Sequence, residues 1–172
     1  MSEPRVRPAS EEDLPSVLAL FEELARLQES WRVFTPRSNL RDEMQRRYRD
    51  DLADPDALLL VAEQNGRIVG MAAGHHHKPS TFSEELAVEL GSVYVQPEHR
   101  GRGVAAALTA EVARFAQERG VGRITLKTFA QNEEALLVWR RLGFEPRMIQ
   151  MTVSVERLQG IDRPDSDSVP MS

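Results

Sequence analysis

Residues 93–105 read Val-Tyr-Val-Gln-Pro-Glu-His-Arg-Gly-Arg-Gly-Val-Ala. In this stretch a predicted strand ends at Val95, a glycine-rich turn follows, and a helix begins at once. Backbone N–H groups at a helix start bind anions, and glycines allow a phosphate to approach the backbone closely. Arg100 and Arg102 add positive charge at the rim of such a site. The stretch therefore predicts either a phosphate-binding turn or a tight turn whose arginines are merely solvated.

Two other glycine-rich phosphate loops are excluded for this turn. No Gly-Lys-Ser or Gly-Lys-Thr follows the glycines, so the turn is not a Walker loop. The third glycine of the dinucleotide-binding fingerprint is missing as well.

Predicted elements alternate in type on both sides of the turn. On the C-terminal side the first predicted element is a helix that ends at Gly120 and has the buried stripe Val104, Leu108, Val112 and Phe115. It is followed by a strand Arg123–Phe129, a helix from Asn132 to Gly143 and a closing strand Met148–Val155. On the N-terminal side they are a strand at Val6, a helix capped by Ser10, a helix from Thr35-Pro36 to about Leu52, strands Leu58–Ala62 and Ile68–Ala73, a loop His75–Ser83 and a strand Leu86–Val95.

These elements predict a mixed α/β fold. Asn65-Gly66 is a strong hairpin signal, so the early strands form an antiparallel meander. Strands separated by helices late in the chain imply a parallel crossover. We expect a central, mostly antiparallel sheet of six or seven strands with about four helices. Residues 1–159 are predicted to be one domain and residues 160–172 a flexible tail.

Composition narrows the classes of function. The chain has 172 residues, of which 41% are hydrophobic, and its net charge is −5, which argues against broad nucleic-acid binding. It contains no cysteine, so disulfides, a thiolate nucleophile and zinc–sulfur sites are excluded. No apolar run is long enough to span a bilayer, and no signal peptide is evident. We expect a cytoplasmic protein with neither a membrane nor a nucleic-acid partner.

Several segments together resemble the GNAT N-acetyltransferase superfamily. Arg100-x-x-Gly103-x-Ala105 fits its (Arg/Gln)-x-x-Gly-x-(Gly/Ala) signature. Further similar segments are Arg7–Leu14, Ile68–Gly70, Phe129–Ala135 and Leu142–Phe144, which occur in the family's order over residues 5 to 155.

The resemblance implies a site for acetyl-CoA as co-substrate, with no metal. In that fold the strand ending at Val95 splays away from the strand Arg123–Phe129, and pantetheine lies between them. The implied cofactor contacts are Val93, Tyr94, Val95, Arg100, Gly101, Arg102, Gly103, Val104, Ala105, Ala106, Asn132 and Trp139. Asn132 is equally consistent with a simple helix cap.

The sequence also offers candidates for the catalytic acid and base. Trp139 stands where many family members have a tyrosine acid, and an indole cannot serve as that acid, so core packing is an equal alternative. Glu89 is the first candidate for the general base that deprotonates the amine, against the alternative of a solvated acid. Glu84 and Glu85 are weaker candidates. Tyr94 is interpreted mainly as core.

The acceptor side offers only weak signals. The run His75-His76-His77 is consistent with acceptor contact, with a metal or with a plain exposed loop. Four aromatic residues could line an acceptor pocket or belong to the core: Trp31, Phe34, Tyr48 and Phe82.

The resemblance implies acetyl transfer to a primary amine of a small molecule or peptide, by direct attack in a ternary complex. The alternatives are a CoA-binding module without turnover and an acyltransferase that uses a longer acyl-CoA. Members of the family often pair into dimers, so a homodimer is a further expectation from the resemblance. The net negative charge weakly favours a cationic acceptor.

Overall fold

The computed structural model describes residues 3–31, 36–77 and 86–159. The chain divides into two compact units, Met1–Leu136 and Leu137–Ser172. The elements are β1 (Arg5–Pro8), α1 (Leu14–Ser30), α2 (Leu40–Ala53), β2 (Ala57–Gln64), β3 (Arg67–His77), β4 (Ala87–Val95), α3 (Val104–Glu118), β5 (Ile124–Leu126), α4 (Glu133–Arg141) and α5 (Val155–Gln159).

The first unit is built on one mixed sheet. Its strands follow chain order, β1-β2-β3-β4-β5, and neighbouring strands from β1 to β4 are antiparallel. Only β4 and β5 are parallel, because α3 carries the chain back to the other end of the sheet between them. The predicted mixed α/β class, mostly antiparallel and covered by helices, is confirmed.

The β2–β3 hairpin forms where its turn residues predicted it. Asn65 and Gly66 both adopt positive φ, 52° and 72°, which is typical of the two-residue turns that match the twist of paired strands. Gln64 and Arg67 close the hairpin as Cα partners.

Each face of the sheet buries a separate apolar cluster. The stripe of α3 (Val104, Leu108, Val112 and Phe115) packs with sheet residues such as Leu60, Ala72 and Val88 on one face. Leu14, Val17, Leu18 and Leu24 of α1 and Tyr48 of α2 pack with Leu59, Val61 and Met71 on the other. The sheet is therefore covered on both sides.

A charged contact joins β1 to the start of α1. Arg7 donates two hydrogen bonds to Asp13, at 2.6 and 3.0 Å, and one to Glu63 at 3.2 Å. The backbone N–H and the hydroxyl of Ser10 also donate to Asp13. The hydrogen bond from Arg7 in particular holds the pKa of Asp13 well below its usual range, although burial opposes this.

The predicted number of strands and the predicted closing strand are wrong. The described residues form five strands rather than six or seven, and Met148–Val155 is irregular up to Ser154, where α5 follows. Its alternating apolar residues could share one face of a strand, but no described strand pairs with this segment, and Met148 and Met151 are almost fully exposed. Alternation alone does not supply a pairing partner.

The predicted loop at His75 is also wrong at its start. β3 continues through His77 because β4 pairs with it there, with His75 opposite Glu89 and His77 opposite Ala87. The second helix begins at Leu40, later than predicted; Thr35 lies outside the described residues, as do residues 160–172 of the predicted tail.

Candidate active site

The glycine-rich turn joins the end of β4 to the start of α3. Gly101 and Gly103 have positive φ, 71° and 83°, a region that residues with a Cβ rarely adopt. The first hydrogen bond of α3 runs from the Ala107 N–H to the Gly103 carbonyl at 2.9 Å. The N–H groups of Val104–Ala106 therefore precede the ladder of helical hydrogen bonds, as at any helix start, and no side chain of the preceding residue caps them.

Strand β4 has an unpaired edge directly before this turn. β5 pairs with β4 only at Val88, Glu89 and Leu90, whereas β4 continues to Val95. Among the described residues, no strand pairs with the β5-facing edge of residues 91–95. Pairing with β5 therefore ends before Val93, Tyr94 and Val95. The splay of the two strands that the resemblance implied stays a prediction.

Arg100 is held by the protein rather than extended into solvent. Its Nε donates to the Val95 carbonyl at 3.0 Å and its Nη1 to Glu134 at 3.0 Å. The guanidinium also lies over the Tyr94 ring, 5.6 Å from the centroid. Arg100 therefore fixes the end of β4 against the first turn of α4, while Arg102 lies within the turn between the two glycines.

A cavity of about 220 Å³ lies between α1, α2 and the middle of β3 and β4. We call it the α1–α2 cavity. Its lining residues are Phe21, Leu24, Gln28, Met44, Arg47, Tyr48, Ala73, His75, Gly91 and Ser92. Gly91 lies at a bulge in the β3–β4 pairing. Ser92 is the last residue of β4 that lines the cavity, directly before Val93.

Tyr48 lines this cavity, and its hydroxyl is buried. The residue is 1% exposed, and within the described ranges its hydroxyl forms no hydrogen bond of ordinary geometry, although Ser92 is close. Burial raises the pKa of Tyr48 to about 12. The hydroxyl therefore keeps its proton at neutral pH.

His75 and Asp51 form a pair at the same cavity. Nε2 of His75 lies 2.8 Å from Oδ1 of Asp51, and the Asp51 side chain is only 7% exposed. The second carboxylate oxygen of Asp51 is buried with no hydrogen-bond partner in the part of the chain that the structure describes. Asp51 was not predicted as a site residue, although its spacing from Met44 and Tyr48 (i, i+4, i+7) places a carboxylate on the apolar face of α2.

Glu89, the predicted base, is engaged by two neighbours. Lys127 Nζ lies 2.9 Å from one carboxylate oxygen and His77 Nε2 3.0 Å from the other. The hydrogen bond from Lys127 lowers the pKa of Glu89, and partial burial opposes this effect. Glu89 is not among the residues that line the α1–α2 cavity.

The remaining predicted residues have local partners. The Asn132 carboxamide accepts the Ala135 N–H at 3.1 Å and caps α4. Tyr94 belongs to the apolar cluster that α1 and α2 form with the sheet, and its hydroxyl donates a hydrogen bond to Glu23 at 3.0 Å. Trp139, in the second unit, packs edge-on against Phe144 with ring centroids 5.5 Å apart.

The other acceptor-side candidates are only partly described. Trp31 packs against Phe129, with ring centroids 6.0 Å apart. His76 Nδ1 lies 3.5 Å from Asp56. Phe34, Phe82, Glu84 and Glu85 lie outside the described residues.

Residues 3–31, 36–77 and 86–159 contain neither a candidate metal centre nor a candidate membrane span. No three histidine, aspartate or glutamate side chains in these ranges are arranged to hold a metal ion. None of the helices in the same ranges has both the length and the apolar character of a membrane span.

Comparison with known proteins adds a family match. Residues 24–144 match the family model described as "Acetyltransferase (GNAT) family". Mycothiol acetyltransferase of Arthrobacter sp. (strain FB24) is 34% identical over 104 residues, which are 60% of this chain and 32% of that protein. The chain thus matches only about a third of that relative's length.

Solved structures resemble this fold at low sequence identity. A predicted acetyltransferase from Clostridium acetobutylicum with acetyl-CoA is 19% identical at a TM-score of 0.70, covering 90% of this chain and 97% of its own. AAC(6')-Iy in complex with the bisubstrate analog CoA-S-monomethyl-acetylneamine is 21% identical at a TM-score of 0.71. The match covers 89% of this chain and 99% of that structure.

Proposed function

This chain belongs to the acetyltransferase (GNAT) family, and we propose that it transfers the acetyl group of acetyl-CoA to a primary amine by direct attack in a ternary complex. The observation that carries the proposal is the open edge of β4, which leads into the glycine turn. Pairing with β5 stops at Leu90, and the chain then runs through Val95 into the first amides of α3. An extended ligand with a phosphate group at one end fits an unpaired strand edge followed by a glycine-rich turn.

The unpaired edge and the turn divide the binding of acetyl-CoA between them. Backbone groups of Val93–Val95 pair with the pantetheine arm, and the amides of Gly101–Ala106 receive the pyrophosphate. Arg102 adds charge at the turn, and Arg100 acts through the Val95 carbonyl and the Tyr94 ring that it holds. The contacts of Asn132 and Trp139 with the cofactor stay predictions.

The chemistry needs little more than positioning and one proton acceptor. Acetyl-CoA supplies an activated acyl carbon: the amine nitrogen bonds to it as the carbon–sulfur bond breaks. A backbone N–H near the end of the Val93–Val95 segment stabilises the charge that develops on the carbonyl oxygen. The leaving thiol has a pKa of about 8.5, so its thiolate departs without a strong acid, which is consistent with tryptophan at position 139.

The α1–α2 cavity is the place for the acceptor. Its wall includes Gly91 and Ser92, next to the segment that holds the thioester. Its volume of about 220 Å³ suits a small molecule or the end of a peptide. AAC(6')-Iy, which shares the fold, was solved with an analogue that joins CoA to an acetylated amine.

Thiol release tests this function without background from the protein, because the chain has no cysteine. The chain and acetyl-CoA are mixed with one amine at a time: L-phenylalanine, tyramine, spermidine, neamine or a short peptide. We expect at least one amine to raise thiol release above the rate with acetyl-CoA alone and to appear acetylated by mass spectrometry.

Each contrary result corresponds to one alternative. Calorimetric binding of CoA without thiol release for any amine indicates a CoA-binding module. Faster release from butyryl-CoA or hexanoyl-CoA than from acetyl-CoA indicates an acyltransferase for longer chains.

A further inference from the structure

We propose that His75, oriented by Asp51, is the group that takes the proton from the acceptor amine in the α1–α2 cavity. This inference rests on the proposed function. It names a histidine on β3 and a carboxylate on α2, in place of the glutamate on β4 that the sequence suggested.

The geometry fixes which ring nitrogen of His75 accepts the proton. Asp51 Oδ1 lies 2.8 Å from Nε2, and an ionised carboxylate can only accept a hydrogen bond. Nε2 therefore carries the hydrogen, and Nδ1 of the neutral ring has the free lone pair. Nδ1 has no hydrogen-bond partner among the described residues, and the ring lines the cavity.

The position of Asp51 suits a supporting role. A buried carboxylate is costly unless it is paired, and His75 is the only hydrogen-bonding partner that the structure describes for it. When the ring takes up a proton, the carboxylate stabilises the resulting imidazolium, as in other histidine–carboxylate pairs. Asp51 is thus a positioning residue that acts through His75.

His75 and water together account for every proton that moves in the reaction. The acceptor enters as an ammonium ion and gives one proton to Nδ1, and its nitrogen lone pair then attacks the thioester carbon. The carbon–nitrogen bond forms, the carbon–sulfur bond breaks, and the thiolate takes a proton from water. The imidazolium returns its proton to solvent before the next cycle.

Charged and titratable groups face His75 from three elements. From α2 they are Asp51, Arg47 and Tyr48, from β4 Glu89, and from β3 itself His77. The lining residues that α1 contributes, Phe21, Leu24 and Gln28, carry no charge. Glu89 is held by Lys127 and His77, and its lowered pKa makes it the weaker base.

The test compares His75→Gln with His77→Gln in the same thiol-release assay. His77 is a matched control, because it is the same residue type two positions along β3 and its side chain is 57% exposed outside the cavity wall. We expect His75→Gln to lower kcat/KM for the amine by about 10²–10⁴-fold at neutral pH, the usual contribution of a general base. We expect His77→Gln to change it less than about threefold.

The pH dependence separates a proton acceptor from a structural role. The midpoint of the acidic limb that reports His75 should be lost from the kcat/KM profile of His75→Gln, whose activity should instead rise only with the free-amine fraction of the acceptor. Added imidazole should restore activity to His75→Ala. Asp51→Asn should lower kcat while calorimetric binding of acetyl-CoA stays unchanged. Because replacing His75 leaves a buried carboxylate unpaired, the double variant Asp51→Asn/His75→Gln provides a folded comparison, and nitrogen-15 NMR of the unsubstituted protein should find the His75 proton on Nε2.

Three results overturn the inference. An acidic limb whose midpoint is unchanged in His75→Gln, or one whose midpoint moves in Glu89→Gln instead, removes His75 from the proton transfer. Finding the His75 proton on Nδ1 does so independently of activity. If the unsubstituted chain releases no thiol with any amine, the proposed function fails, and the role of His75 fails with it.

Discussion

Gly103 and Gly120 are two glycines with the same backbone constraint at opposite ends of α3. Both have positive φ, 83° and 68°, and a Cβ added at either would meet no described heavy atom within 4 Å. A valine at either position therefore incurs a similar backbone strain of about 1–3 kcal/mol without a steric clash. Only Gly103 lies at the proposed pyrophosphate site.

We expect Gly103→Val to weaken CoA binding at least about a hundredfold, since losing two charge-assisted hydrogen bonds costs about 3 kcal/mol. Gly120→Val should bind CoA normally, while both variants lose similar thermal stability. Calorimetry and thermal unfolding make the comparison. Normal CoA binding by a folded Gly103→Val protein would contradict the assignment of the turn.

The Tyr48 hydroxyl should matter more for the acceptor than for the fold. Removing a buried hydroxyl without a partner is nearly neutral or stabilising, whereas losing a hydrogen bond to a ligand costs about 1 kcal/mol. Tyr48→Phe should therefore unfold at an equal or higher temperature and raise the acceptor KM about fivefold. The KM for acetyl-CoA is the internal control. A clear loss of stability with an unchanged acceptor KM would show a structural role for the hydroxyl.

At the scale of single residues, the sequence predicted what depends on local backbone geometry. The turn glycines and the Asn132 cap follow from residues adjacent in the chain. The partners of Glu89 could not be predicted, because Lys127 lies directly after β5, far along the chain, and His77 was assigned to a loop. The Asp51–His75 pair joins α2 to β3 and was missed for the same reason. The role of Trp139 stays a prediction.

Among the elements, the junction of β1 and α1 depends on the charge of Asp13. The folded-state pKa of Asp13 is depressed, so its contribution to stability is present above the unfolded pKa of about 3.9 and is lost as pH falls toward the folded value. Asp13→Asn should cost roughly 1–3 kcal/mol at pH 7, a difference that shrinks below about pH 4.

Urea unfolding of the two proteins at several pH values measures this effect. Glu118→Gln is the control, because its ion pair with Arg114 is exposed, and such pairs contribute less than about 1 kcal/mol. A constant difference between Asp13→Asn and the unsubstituted protein from pH 7 to pH 3 would contradict the role of the carboxylate charge.

Helices and strands were predicted correctly where the local turn or helix signal was strong. They were predicted wrongly where pairing with a distant strand decides whether a segment is a strand. Asn65-Gly66 fixed the hairpin, and the spacing of Val104, Leu108 and Val112 fixed α3. His75–His77 became strand because β4 pairs with them, which the composition of a histidine run does not indicate. Met148–Val155 has the alternation of a strand, but without a described pairing partner it does not form one.

On the scale of the whole molecule, the mixed α/β class followed from the order of elements alone. Hairpin signals early in the chain and a strand-helix-strand pattern later leave few topologies. The single domain over residues 1–159 and the homodimer stay predictions, because neither is decided by the periodicity of the sequence.

The neighbour-to-neighbour order of the sheet also sets how the chain can fold. The β2–β3 hairpin closes through two turn residues, whereas β4 and β5 are separated along the chain by the whole of α3, and long loops close more slowly than short ones. Hydrogen–deuterium exchange should find the slowest amides at Val69, Met71 and Ala72 of central β3, which are buried. Those of three-residue β5 should exchange first among the strands. The edge where acetyl-CoA is proposed to bind would then be the last part of the sheet to assemble, and bound CoA should slow exchange there more than anywhere else.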